Sequence, residues 1–132
     1  MQNKSIYLIM IIIFLLIIGT IVFIIRSNED TWIRDEKGVW ITHGNPYEKP
    51  DNVKKQQEAI IKAQEMYNQE KSNGVIFTSQ CLGTTGIYAV DIVNVPRTYE
   101  DDLKENQCED YIEKRVTNFI ELSQNGSLVR VF

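Results

Sequence analysis

The sequence predicts an α+β protein carried behind an N-terminal transmembrane helix, and three observations carry that prediction. Residues 6–25 are twenty consecutive uncharged and almost wholly apolar side chains. Residues 52–71 repeat their apolar positions with a helical period. Four later segments are rich in strand formers, and the last two flank Asn125-Gly126. The expected organisation is a transmembrane signal-anchor over 1–26, a juxtamembrane hairpin and loop over 27–50, and an α+β domain over 51–132. In that domain one amphipathic helix packs on an antiparallel sheet of about four strands.

The first element is a helix because lipid leaves no other way to satisfy the backbone of a single apolar segment. Twenty residues at 1.5 Å each span about 30 Å, the thickness of a bilayer's hydrocarbon core. Sixteen of the twenty are Ile, Leu, Phe or Val, which favours insertion by about 5 to 10 kcal/mol. The run is longer than a signal-peptide core, and the exit Ile24-Ile25-Arg26-Ser27-Asn28 offers no A-x-A-like cleavage site. An uncleaved signal-anchor is therefore expected, with a cleaved secretion signal as the rival reading. The implied partner is the lipid bilayer through residues 6–25. Flanking charge alone, Lys4 before the helix against Arg26, Arg34 and Lys37 after it, favours a cytoplasmic C-terminus. We expect the C-terminal domain outside the cytoplasm instead, because long domains translocate largely regardless of charge and a cysteine pair suits an oxidising compartment.

Residues 27–132 hold 12 basic and 18 acidic residues, a net charge of −6. That sign repels nucleic-acid phosphates and anionic headgroups, so nucleic-acid binding is not expected. The length suits one domain with a modest core. Cys81 and Cys108 are the only cysteines, too few for a structural zinc site and too far apart for a C-x-x-C motif. A disulfide is expected, closing a loop of about 27 residues and contributing roughly 3.5 kcal/mol in the chain-entropy model. Two buried free thiols in a cytoplasmic domain are the alternative.

Past the anchor, Trp32-Ile33-Arg34 and Val39-Trp40-Ile41 read as short strands joined by Asp35-Glu36-Lys37-Gly38. A loop follows, broken by His43-Gly44-Asn45-Pro46, and Asp51 is the expected N-cap of the amphipathic helix. Val53, Ile60 and Tyr67 recur at seven, with Ala59, Ala63 and Met66 beside them, and mark its buried stripe. Asn73-Gly74 stops the helix. Val75–Cys81 reads as a strand, Leu82–Gly86 as a connection, and Ile87–Val95 as a strand apolar at both parities and hence central. Thr98 with Asp101 and Asn106 with Glu109 have capping-box spacing, so helical turns are expected between Tyr99 and Lys114. Val116–Leu122 and Leu128–Phe132 form the closing hairpin. A cystatin-like architecture is a candidate on element order alone.

The segment W-I-x-x-x-x-G-x-W-I-x-H-G-x-P, from Trp32 to Pro46, resembles a pattern in small, N-terminally membrane-anchored prokaryotic proteins, notably of candidate-phylum genomes, to which no activity is assigned. Cys81-Leu82-Gly83, Tyr88–Ile92, Val95–Thr98, Glu105–Cys108 and Phe119–Leu122 look like the same proteins. The resemblance covers most of residues 31–132 and implies an envelope location and a shared fold. Such relatives often carry a cysteine where Arg34 stands, so a bridge they form there is absent from this chain.

No residue set rises to a catalytic, cofactor or metal motif. His43 is the sole histidine, and without a G-x-S-x-G, H-E-x-x-H or P-loop beside it a turn or packing role is the expectation. Asp91, inside an apolar strand, has a raised pKa if buried, although a structural carboxylate is the simpler account. Glu100-Asp101-Asp102 with Glu105, Glu109 and Asp110 is an acidic run without the D-x-D-x-D-G loop of a calcium site. Trp32, Trp40 and His43 are the candidate binding residues, with headgroup-level or cross-strand packing as the competing role of the tryptophans. The expected function is a membrane-anchored extracytoplasmic interaction or ligand-binding module with an unknown envelope protein partner. A small envelope hydrolase using His43 and a structural subunit of an envelope complex are the alternatives.

Overall fold

The computed structural model describes residues 2–27 and 30–132, which fall into two compact units. The first lies within Met1–Trp32 and Thr42–Tyr47, the second is Ile33–Ile41 with Glu48–Phe132.

In the first unit, helix α1 runs Gln2–Ser27. Its stretch Lys4–Ile25 is long and apolar enough to cross a membrane, and among the described residues none of it is buried against protein. Strand β1 is Thr31–Arg34 and β2 is Trp40–His43, and they make a two-stranded sheet, of which Ile33–Ile41 belongs to the second unit. Asn45 N–H donates to Asp30 Oδ1 at 2.9 Å, which closes the chain beyond β2.

The second unit has the α+β architecture that the apolar patterning predicts. Helix α2 spans Asp51–Ser72, and β3 (Gln80–Thr85), β4 (Tyr88–Val93), β5 (Asn118–Ser123) and β6 (Leu128–Val131) form a sheet in the order β3-β4-β5-β6. The β3–β4 and β5–β6 pairs are antiparallel, as expected. The central β4–β5 pair is parallel, which makes the sheet mixed. Parallel neighbours need a long crossover, and residues 94–117 supply it with two 3₁₀ turns, Tyr99–Asp102 and Lys104–Asn106, and a short helix α3 at Glu109–Ile112.

This topology explains why β4 is apolar at both parities. Tyr88, Val90 and Ile92, with Ile120, Leu122 and Val131, pack against Ala59, Ala63 and Tyr67 of α2. Ala89, Asp91 and Val93 turn to the opposite face, which the crossover covers, as Tyr111 set edge-on against Phe119 at 5.6 Å shows. Small residues at 59 and 63 let the helix backbone come close to the sheet. Tyr67 fills the end of the layer, stacked on Phe77 at 4.5 Å and donating its hydroxyl hydrogen to Gln124 O at 3.0 Å.

Several boundaries differ from the pattern-based reading. Pro50, not Asp51, is the N-cap, and its carbonyl accepts the N–H groups of Val53 and Lys54, while Asp51 sits in the first turn where its charge suits the helix dipole. The strand expected at Val75–Cys81 starts only at Gln80 and continues through Leu82–Thr85, because Phe77 leaves the extended path to stack on Tyr67. A bulge between Cys81 and Gly83 absorbs the displaced register. Cys108, not Asn106, precedes α3.

The turn of the first hairpin docks on β6. Val131 N–H donates to Lys37 O at 2.7 Å and Lys37 Nζ to Leu128 O at 2.9 Å. Gly38 holds φ +82°, and a Cβ there would overlap the Val131 carbonyl oxygen. Gln56 completes the joint. Only 2 % exposed, it accepts from Trp40 N–H at 2.8 Å and donates to Gly38 O at 3.0 Å.

Candidate functional site

Strand register assembles a polar row on the sheet face beneath the crossover. Cys81 pairs with Asp91 across β3–β4, Asp91 with Glu121 across β4–β5, and Glu121 with Arg130 across β5–β6. One side chain from each of the four strands therefore lines up, with Ala89, Val93, Phe119 and Ser123 on the same face of β4 and β5.

The Glu121 end of the row is charge-compensated. Its carboxylate, 5 % exposed, accepts from Arg130 at 2.8 and 3.1 Å and from Arg97 Nη1 at 2.6 Å. Arg97 reaches down from the crossover and also donates to Asp102 Oδ1 at 2.8 Å. The Asp102 hydrogen bond raises the Arg97 pKa, burial opposes it, and Glu121 adds to the rise, so this guanidinium stays charged. Two arginines on one carboxylate offset a desolvation cost that a lone pair would struggle to meet.

The Asp91 end is different. Burial pushes its carboxyl up to about 7, and the negative charge of Glu121 adds to that push, while the Cys108 backbone N–H and Arg97 pull the other way. Neither arginine hydrogen-bonds it among the described residues. Above it, Cys108 is bonded to Cys81 across a Cα–Cα distance of 4.8 Å, the bridge expected from the sequence. The Cys108 sulfur lies 3.1 Å from Asp91 Oδ1. A bridging sulfur carries no hydrogen, so this is a contact between sulfur and carboxyl oxygen. Cys81 Sγ, Cys108 Sγ and an Asp91 oxygen all lie within 4.8 Å of one another. The sulfurs are joined to each other, however, and metals bind the thiolate form.

The acidic run divides between caps and ion pairs. Asp101, 4 % exposed, accepts from Thr98 N–H at 2.7 Å and Asn94 N–H at 2.9 Å, completing the expected Thr98 capping box. Burial works against its charge, but those two backbone hydrogen bonds, with Ser79 and Arg97, keep its pKa below the ordinary range. Asp110 binds Arg115 and the Thr84 hydroxyl, and Arg115 also pairs with Glu113.

None of the residues singled out for binding belongs to this row. His43 ends β2 in the first unit, exposed, and its ring makes no hydrogen bond or ion pair among the described residues. Trp32 is half-buried in that same unit. Trp40 belongs to the second unit, half-buried, with the Arg34 guanidinium 4.8 Å from its ring centre. Sequence reasoning missed Glu121, Arg97, Arg130 and Gln56. A signal for the first was present, since Glu121 interrupts an apolar run, Phe119-Ile120-Glu121-Leu122, just as Asp91 interrupts its own.

No family model matches this chain, and neither a curated protein nor a solved structure does.

Proposed function

We propose that this chain is a single-pass membrane protein whose α1 anchor presents a disulfide-linked α+β domain outside the cytoplasm, where the domain serves as an interaction or ligand-binding module for an envelope partner. The observation that carries this reading is one chain holding both a 22-residue apolar span, unburied among the described residues, and a bridged cysteine pair. An apolar surface of that size is stable only in lipid or against another protein. Disulfides persist chiefly where the surroundings are oxidising. The lack of a hydrogen-bond or ion-pair partner for the His43 ring among the described residues, and the closure of Glu121, Asp101 and Asp102 within internal pairs, favour binding over hydrolysis. The likeness of Trp32–Pro46 to envelope-anchored proteins accords with it.

Fractionation of cells tests the anchor. The full-length chain is expected to stay with membranes through an alkaline carbonate wash and to be released by detergent, whereas a mature chain in the culture fluid lacking its first few dozen residues would overturn the reading. Photo-crosslinking from Tyr47, whose side chain is fully exposed, is expected to give discrete protein adducts in the native membrane. His43→Ala is expected to leave those adducts unchanged. Loss of a turnover in that variant, with folding intact, would move the assignment to an enzyme.

A further inference from the structure

The bridge is asymmetric. Cys81 lies on the edge strand β3 and is half-buried, whereas Cys108 is 1 % exposed and rests on Asp91. An incoming thiolate meets Cys81 more readily, and the electron pair of the broken bond then falls on Cys108. A thiolate formed there, on a residue only 1 % exposed, would stand 3.1 Å from the Asp91 carboxyl. If Asp91 were ionised, the two like charges would oppose the step. A carboxylic acid in the same place removes the problem by giving up its proton.

We propose that Cys81–Cys108 is an exchangeable disulfide that accepts electrons from a dithiol, with Asp91 as the acid that protonates the departing Cys108 sulfur. The dithiol first loses one proton to solvent. Its thiolate forms a bond to Cys81 Sγ, the Cys81–Cys108 bond breaks, and the Asp91 proton passes to the Cys108 sulfur. The second thiol of the reductant then attacks the mixed disulfide, its proton goes to the leaving Cys81 sulfur, and Asp91 recovers a proton from solvent. The dithiol is oxidised by two electrons and the bridge is reduced to two thiols. The groups facing Asp91 are Cys81 from β3, Glu121 from β5, and Cys108 and Arg97 from the crossover, with Arg130 one strand beyond. Because Glu121 takes the hydrogen bonds of both arginines, Asp91 keeps the proton that the step needs; its pKa of about 7 leaves the acid populated at neutral pH. This activity is independent of the binding role proposed above.

The test follows reduction of the full chain in detergent micelles by dithiothreitol, trapping thiols by alkylation and dividing each rate by the reductant's thiolate concentration. Without denaturant the wild type is expected to be reduced with its circular dichroism intact, at a normalised rate that falls as pH rises through about 7. Asp91→Asn is expected to react roughly 100-fold more slowly at pH 6 and to lose that pH dependence. Equal rates and equal profiles for variant and wild type would overturn the proposal. Should the variant fail to fold, the wild type alone decides: a normalised rate flat through pH 7, or reduction only at unfolding urea concentrations, contradicts it.

Discussion

Asp91 shows how one half-buried carboxyl sets a pH dependence. Its folded pKa of about 7 stands above the roughly 3.9 of an unfolded chain. Between these values the folded state holds a proton that the unfolded state has lost, so stability declines as pH rises from about 4 to about 7 and levels off above that. The loss is of order 4 kcal/mol at most. Asp101, held below the ordinary range, has the opposite sign: its contribution is present at neutral pH and disappears as pH falls through its own pKa. Urea unfolding of the full chain in micelles at pH 5 and pH 8 is expected to show the wild type weaker at pH 8, and Asp91→Asn to flatten that difference. Gly126 makes a second prediction at this scale. It holds φ +85°, and a Cβ there would enter the ring of Tyr67, so Gly126→Ala is expected to cost about 1 to 3 kcal/mol, read from the urea midpoint.

The elements depend on joints made by polar residues, and these decide how far the sequence could be read. The helix over residues 52–71, the central strand and the Asn125-Gly126 hairpin were legible because each repeats a local pattern with a period of 3.6 or 2, or carries a turn signal. The parallel β4–β5 pairing was not, since pairing direction depends on where the crossover returns. The start of β3 was not legible either, because the stacking of Phe77 on Tyr67 is a contact between distant residues. Of the polar row, Cys81–Cys108 and the oddity of Asp91 were visible, whereas the arginines closing on Glu121 required the register of four strands. Gln56 looked like one more residue on a polar helix face. Replacing it by Leu leaves Trp40 N–H and Gly38 O without their partner, and a loss of about 2 to 4 kcal/mol is expected in thermal unfolding. Serine at both Cys81 and Cys108 releases the crossover from β3, at an expected cost of roughly 3.5 kcal/mol.

At the scale of the whole molecule, two physical needs meet in one chain. An apolar helix that is unburied among the described residues requires lipid or a partner, and a small domain of net negative charge gains stability from a covalent link across its crossover. Both are met if the domain lies on the oxidising side of the membrane. The most direct measurement is labelling of the two cysteines in intact cells with a membrane-impermeant thiol reagent, before and after an impermeant reductant. No labelling is expected at first, and labelling of Cys81 once the bridge is reduced, with the cells still sealed. Labelling that appears only after lysis, or free thiols already present without any reductant, would contradict that placement.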